Sequence, residues 1–551
     1  MKKQGFLLSS AILIFSAVLA KLAGALFRIP LANMLGGTGM GYFSGAYGIF
    51  MTVYAVSVTG LPAAVAKLTA ENSALERYGN LRRVKSSAII FFSLTGLAFT
   101  AAMLLLAYPF CVYVNDSPET VPSVLAIAPS IFFGCVTSVY RGYYEGLRNM
   151  FPTAVSQILE GIVKLCAGLA LCLWVLKNPD KVQSLCGFFN CTQLSLAAAA
   201  AVFGISLSSA AGTFYLILRD KLRGDGISEE EILAASGANQ TDSRRKIVSE
   251  LMKTAVPIAL GALVTNLTSL IDLVTIMRSL RSAAEKAPDF FARLSGNVSA
   301  AELPNFLFGS FTGLAVTVFN LVPSFTNMFG KGILPALSEA FAARDRDKIK
   351  LSAEKALFVT ALVSFPSAAG ISVLAGEILK TLFPSKPVET AACTASLTIL
   401  GIAVAFLCIS STAFAILQAA GRPDLPVKLM IPGVLVKFAG NILLVPIPEL
   451  NISGAAISTL LCYAVICVPA AAMAANCTKL DKTYIKGLFW KIIYCSAMCG
   501  GGALLAKNSF AQTFDGIILL LISIIFGVIF YIISTILLGI ITKSTLKSLI
   551  S

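Results

Sequence analysis

The stretch Ala20-Lys21-Leu22-Ala23-Gly24-Ala25-Leu26-Phe27-Arg28-Ile29-Pro30 sets two cations inside an otherwise apolar segment that runs from Phe6 to Leu35. A charge at membrane depth is expensive, and where one is kept it marks a water-filled path or a polar interior. Lys21 and Arg28 are seven residues apart, about two helical turns, so they share one helix face. That face is expected to look into a helix bundle. The plainer alternative is that Lys21 snorkels to an interface while Arg28 caps the carbonyls of a neighbouring helix.

The composition agrees with a membrane setting. Hydrophobic residues make up 57% of the chain and charged ones 13%, with a mean hydropathy of +0.83, too apolar for an ordinary soluble domain. Runs of ~20 apolar residues recur along the whole length, and strand-length alternation is absent, so the expected class is an all-α polytopic membrane protein. Met1-Lys2-Lys3 and the apolar run to Ala20 imitate a secretory signal, but the apolar character continues past Lys21, which reads as a retained first helix. Hydropathy places about fourteen transmembrane helices. They include Phe6–Leu35, Gly41–Ala66, Val121–Leu147, Pro152–Leu176, Pro304–Leu337 and Pro426–Pro446.

The net charge of +15 would suggest nucleic acid in a soluble chain. Here its placement matters more, because cytoplasmic loops collect Lys and Arg. Arg77 through Lys85, Arg244-Arg245-Lys246, Arg344 through Lys350 and Lys479 through Lys486 all fall on one side, and both termini are expected there, in the cytoplasm. No nucleic-acid partner is expected. The 13 cysteines show no metal-ligand spacing and read mostly as small packing residues. Cys186 and Cys191 share an expected outside loop, where they either pair or stay free. With no histidine in the chain, imidazole relays and histidine metal sites are excluded.

A repeat emerges from spacing. Gly60-Leu61-Pro62 closes the second expected span and Gly332-Ile333-Leu334-Pro335 closes the eighth; Arg148 and Pro152 open a helix holding Lys164, and Arg422 and Pro426 open one holding Lys437. Pro62 to Pro335 and Lys164 to Lys437 are both 273 residues, and Arg148 to Arg422 is 274. Two parallel six-helix repeats are therefore expected, related by an axis along the membrane normal, with two further helices at the C-terminus. The boundaries read as an N-terminal lobe over 1–220, a cytoplasmic linker over 221–253, a second lobe over 254–480 and the additional pair over 481–551. In the linker, Ser228 and Glu231 read as a capping box opening a short helix.

The ionisable groups inside spans are Lys21, Arg28, Glu160, Lys164, Asp272, Lys331 and Lys437. Glu160 and Lys164 are four apart in the order that favours an intrahelical pair. Asp272 and Lys437, with Asn441 one turn beyond, are candidates for mutual neutralisation or for binding a proton or small cation. The loops hold no cluster of carboxylates and no phosphate-binding glycine loop, so neither hydrolase chemistry nor direct use of ATP is expected. The interior cations suit an anion such as a diphosphate.

Arg28-Ile29-Pro30 followed by Leu35-Gly36-Gly37-Thr38-Gly39-Met40-Gly41-Tyr42, the Gly60-Leu61-Pro62 turn and Gly421-Arg422-Pro423-Asp424-Leu425-Pro426 resemble the polysaccharide-transport branch of the multidrug/oligosaccharidyl-lipid/polysaccharide exporter superfamily. Within it the chain resembles the stage V sporulation protein B-like group, which is related to lipid II flippases. The resemblance implies a V-shaped bundle of two lobes working by alternating access. It further implies a non-enzymatic flippase, without cofactor, for undecaprenyl-diphosphate-linked sugar in peptidoglycan or spore-cortex assembly in the bacterial cytoplasmic membrane. The resemblance puts Arg28, and near it Lys21, in the substrate cavity among membrane lipids. It puts Asp272 and Asn441 at positions that form a sodium site in some relatives, with Lys437 departing from the pattern where it could substitute for the ion. From their charge inside spans, Glu160, Lys164 and Lys331 are read as further cavity residues, and Asp272 and Lys437, with Asn441, as a sodium or proton coupling site. Where lipid II flippases carry charge in the eighth helix this chain reads Gly309-Ser310-Phe311-Thr312-Gly313, a departure that bears on the sugar. The rival readings are a drug/cation antiporter of the same superfamily, a membrane glycosyltransferase, and a scaffold for cell-wall synthesis enzymes.

Overall fold

The computed structural model describes residues 6–224, 242–295, 298–299 and 301–540, and among them it is helical with no strand. The principal helices are α1 (Phe6–Ser57), α2 (Leu61–Ala74), α3 (Tyr78–Pro109), α4 (Pro129–Gly146), α5 (Phe151–Lys177), α6 (Gln193–Arg223) and α7 (Arg244–Lys286). They are followed by α8 (Leu303–Ser310), α9 (Leu321–Ala342), α10 (Arg346–Val373), α11 (Pro387–Ala419), α12 (Asp424–Leu444), α13 (Asn451–Thr478), α14 (Lys482–Phe510) and α15 (Gly516–Leu537). Among the described residues, eleven helices are long and apolar enough to cross a membrane, or up to twelve if the bent pair Arg244–Leu263 and Asn266–Lys286 is one span.

The expected fourteen differ from this for local reasons. The first two expected spans belong to one apolar stretch, Val18–Ala74. The turn between them survives as a kink inside α1 at Gly36, whose φ of 66° and ψ of −170° lie outside the helical region and at a positive φ that glycine adopts without strain. Gly60-Leu61-Pro62 opens a helix instead of closing one: Pro62 sits in the first turn of α2, where its missing N–H costs nothing. The eighth expected span is divided between the short apolar helix Leu303–Phe319 and α9.

Two compact units result, Met1–Leu35 with Tyr42–Val274, and Gly36–Gly41 with Thr275–Ser551. In the first, α5 packs along α6, and α2 and α3 each pack against α4. A buried hydroxyl pair, Thr137 and Thr213 at 2.7 Å, ties α4 to α6. Just before α7, Asp242 exchanges hydrogen bonds with Asn80, its amide donating at 3.1 Å and its carboxylate accepting at 3.0 Å. The Lys246 ammonium 2.6 Å away, helped by Asn80, holds the Asp242 carboxyl below the usual carboxylate range. The expected Ser228–Glu231 helix lies outside the described residues.

In the second unit α13 packs on α11 and α12, α10 packs on α11, and α14 pairs with α15 while lying against α10. Thr360 and Thr412 bond at 2.8 Å between α10 and α11. The segment Gly36–Gly41 also packs here. The kink takes the Gly37 amide out of the helical ladder, and Glu389 of α11, itself buried, accepts from it at 3.2 Å. A buried amide must find such a partner.

One turn recurs. At Arg148 (φ 57°) and at Gly421 (φ 75°) the chain leaves a helix in the left-handed region. The amide at that residue bonds back three residues, to Glu145 and Gln418, and the next amide bonds back five, to Tyr144 and Leu417, the double cap of a Schellman motif. The same cap closes helices at Glu76, Asn190, Arg344, Lys479 and Gly539, so it is a general helix end here; Arg148 and Gly421 stand 273 positions apart.

Cys186 and Cys191 carry free thiols, and the Cys191 amide donates to the Cys186 carbonyl at 3.0 Å. Burial, with smaller contributions from Cys186 and Glu119, pushes the Cys191 thiol up to about 11.

A methyl group at Gly309 would collide with the backbone of Gly37 and Gly41, whereas one at Gly370 would meet nothing within 4 Å. Gly309→Ala is therefore expected to cost ~1–3 kcal/mol through overpacking, read as a lower melting temperature of the detergent-solubilised protein. Gly370→Ala is expected to melt no lower than the parent, and equal melting of the two variants would contradict the close approach.

Candidate functional site

The polar interior of the first unit is built from α1, α4, α5 and α6. Beyond its kink, α1 carries an aromatic ladder at Phe43, Tyr47, Phe50 and Tyr54, a spacing that keeps the rings on one helix face. Successive ring centroids are 5.9, 6.0 and 5.2 Å apart, and Phe27 joins at 6.1 Å from Phe43.

Two cations rest on these rings. The Arg28 guanidinium stands 5.4 Å over Tyr47 and the Lys164 ammonium 5.2 Å over Phe27. Cation–π contact of this kind holds a charge in a partly desolvated place without neutralising it. Lys164 is also close enough to Arg28 and Glu160 to feel both charges.

Glu160 does not take Lys164 as its partner, contrary to the expectation from helical spacing. Its carboxylate forms an ion pair at 2.9 Å with Arg141 of α4, and Arg141 Nε donates to Ser156 Oγ at 2.9 Å. The reason is packing. Glu160 lies against Gly212 of α6, where even a methyl group would come within 2.8 Å of its Cγ, so the carboxylate is confined beside α4 and meets the Arg141 fork. A planar guanidinium suits a carboxylate in a crowded site better than a flexible ammonium does. The pair is mostly buried, at 16% and 25% side-chain exposure. Arg141 was not among the candidates read from the sequence, although a cation inside the Val121–Leu147 span was a visible signal. The cluster holds three cations, Arg28, Arg141 and Lys164, against two carboxylates, Glu160 and Glu145, both of which face the Arg141 charge.

Lys21 and Lys331 sit at helical positions, but their side chains lie outside the described residues. Asp272 is half-buried on α7 in the first unit, and Lys437 and Asn441 are buried on α12 in the second, at 4% and 0% exposure. Asn441 Nδ2 donates to Thr275 Oγ1 at 2.9 Å. Among the described residues no three His, Cys, Asp or Glu side chains gather as metal ligands.

Removing one member of a mostly buried ion pair leaves the other charge uncompensated. Glu160→Leu is expected to lower stability by ~3 kcal/mol, and the double replacement Arg141→Met with Glu160→Leu to recover most of that loss. Thermal melts of the three proteins check this; a double variant no better than Glu160→Leu would contradict the pairing.

Residues 6–341 match the family model described as polysaccharide biosynthesis protein, and residues 310–443 match the MatE model. Stage V sporulation protein B of Bacillus subtilis (strain 168) is 25% identical over 464 residues, covering 83% of this chain and 81% of that protein. Lipid II flippase MurJ of the same organism is 22% identical, covering 82% and 79%. Among solved structures, one described as lipid II flippase MurJ in an inward closed conformation superposes with a TM-score of 0.62 over 96% of this chain and 98% of that one, at 17% identity. That likeness concerns the fold.

Proposed function

Because the chain belongs to the polysaccharide biosynthesis protein family, we propose that it is a flippase for an undecaprenyl-diphosphate-linked oligosaccharide, a peptidoglycan precursor such as lipid II or a related cell-wall or spore-cortex precursor. It works in the bacterial cytoplasmic membrane by alternating access of two six-helix copies, residues 1–220 and 254–480, and moves its substrate without changing it. Both termini face the cytoplasm.

The observation that carries this reading is the pair of cations, Arg28 and Lys164, held over the aromatic rings of α1 at Tyr47 and Phe27. Guanidinium and ammonium groups held in a desolvated setting recognise the oxygens of a diphosphate. Arg28 and Lys164 are the first contacts for the diphosphate, and Arg141, already paired, orients Glu160. Lys21 and Lys331 are proposed as further substrate-binding cations. The names of two relatives, a lipid II flippase and a stage V sporulation protein, support the class of substrate.

The test is movement of labelled undecaprenyl-diphosphate-sugar in proteoliposomes. The parent is expected to move it, and Arg28→Ala and Lys164→Ala to reduce the rate about tenfold at matched protein, the effect of losing roughly one charge-assisted contact. The MatE match over residues 310–443 favours a second reading, a drug/cation antiporter. A folded parent that moves no lipid-linked sugar but exchanges a cationic dye against sodium or protons would establish that reading in its place.

Asp272, Lys437 and Asn441 are proposed as coupling residues for sodium or protons. Asp272→Asn and Lys437→Met are expected to keep basal flipping within about twofold while losing its stimulation by a sodium or proton gradient. Variants that respond to both gradients as the parent does would remove these residues from coupling.

A further inference from the structure

A second cationic site lies on the outer surface of the first unit, away from the Arg28 cluster. A shallow, open depression of about 300 Å³ lies over the N-terminal turns of α3, formed by Arg82, Lys85, Ser86, Ile89 and Ile90 of that one helix. Lys85 is not a loose surface lysine. Its ammonium pairs with Asp220 of α6 and stands 4.8 Å over Tyr143 and 5.6 Å over Tyr140 of α4, so three helices set its position. Asp220 in turn accepts from Tyr144 Oη at 3.0 Å, and the Arg219 guanidinium stacks 4.7 Å over the Tyr144 ring. Arg82, Lys85 and Arg219 stand against the one carboxylate of Asp220, which leaves the corner positive. Arg82 and Ser86 are exposed and supply donors that the Lys85–Asp220 pair does not use.

Depth and shape identify the ligand. The helical run that starts at Tyr78 continues to Val114 over 37 residues, about 55 Å long at 1.5 Å per residue, whereas the hydrocarbon core of a bilayer is about 30 Å thick. The continuous apolar sequence begins near Ala88, which puts Arg82–Ser86 at headgroup level. From Ser86 an exposed stripe climbs the same helix face through Ile90, Leu94 and Leu97, at 48%, 62% and 57% exposure. An anion bound at Arg82 and Ser86 therefore has an apolar track leading from it into the membrane.

We infer that the N-terminal turns of α3 form a binding site for an anionic phospholipid, its phosphate held by Arg82, Lys85 and Ser86 and an acyl chain lying along Ile90, Leu94 and Leu97. The shared chemistry is a phosphate anion, and the source is a lipid headgroup. Phosphate at this corner supplies the counter-charge that Asp220 alone does not, and it braces α3 against α4 and α6.

The experiment is native mass spectrometry of the full chain released from nanodiscs of equimolar phosphatidylglycerol and phosphatidylcholine. The parent is expected to retain phosphatidylglycerol in preference to phosphatidylcholine. Arg82→Gln is expected to lower that preference about fivefold, the effect of one cation at an anionic surface. Arg82→Lys keeps most of the preference, Ser86→Leu lowers it by removing a donor beside Arg82, and Arg422→Gln, an exposed cation elsewhere, leaves it unchanged. Retention by Arg82→Gln equal to the parent's, or an equal loss in Arg422→Gln, would overturn the site. Inorganic phosphate at about ten times the lipid concentration is expected to leave the lipid bound; displacement would overturn the lipid assignment in favour of a free anion.

Discussion

A polar group buried away from water must find its partner within the chain, and most of this architecture follows from that constraint. Every departure from regular helix and every charge below the headgroups has to be answered from within the chain. At Gly36 the helix turns away from its axis, and the amide so released is answered by Glu389, 352 residues away. Arg141 is answered by Glu160, and hydroxyls on adjoining helices answer each other in both units. Each of these bonds is modest in energy. Their value lies in direction, since they allow one register of one helix against another.

The same constraint separates two kinds of cation. Arg141 is neutralised in place and has a structural function, whereas Arg28 and Lys164 rest on aromatic rings that lower the cost of burial and leave the charge uncancelled. A carrier of anions needs charge of the second kind, because a cation already matched by a carboxylate has little to offer a ligand. Lys85 combines the two, with Asp220 on one side and tyrosine faces on another.

Much of this was legible in the sequence. Composition and hydropathy determine a helical membrane protein, and the break expected between Leu35 and Gly41 falls where the structure kinks at Gly36. The failures share a cause. Spacing along one helix sees only neighbours one turn away, so it matched Glu160 with Lys164 and missed Arg141, which arrives from another helix. It assigned Gly60-Leu61-Pro62 to a helix end because glycine and proline break helices in general, although proline is equally at home in a first turn. It had no means of linking Gly37 to Glu389, because nothing local to either residue names the other.

The packing around Gly309 has a meaning beyond stability. There the backbones of Gly37, Gly41 and Gly309 touch with no side chain between them, and the next residue, Ser310, turns its hydroxyl back onto the Phe306 carbonyl at 2.7 Å. A seam this tight has no space for a file of water, and without such a file neither protons nor sodium can cross it. The glycines that let the chain bend thus also close this contact to water and to the ions that travel with it. A membrane whose ion gradients drive other processes requires that of any protein spanning it.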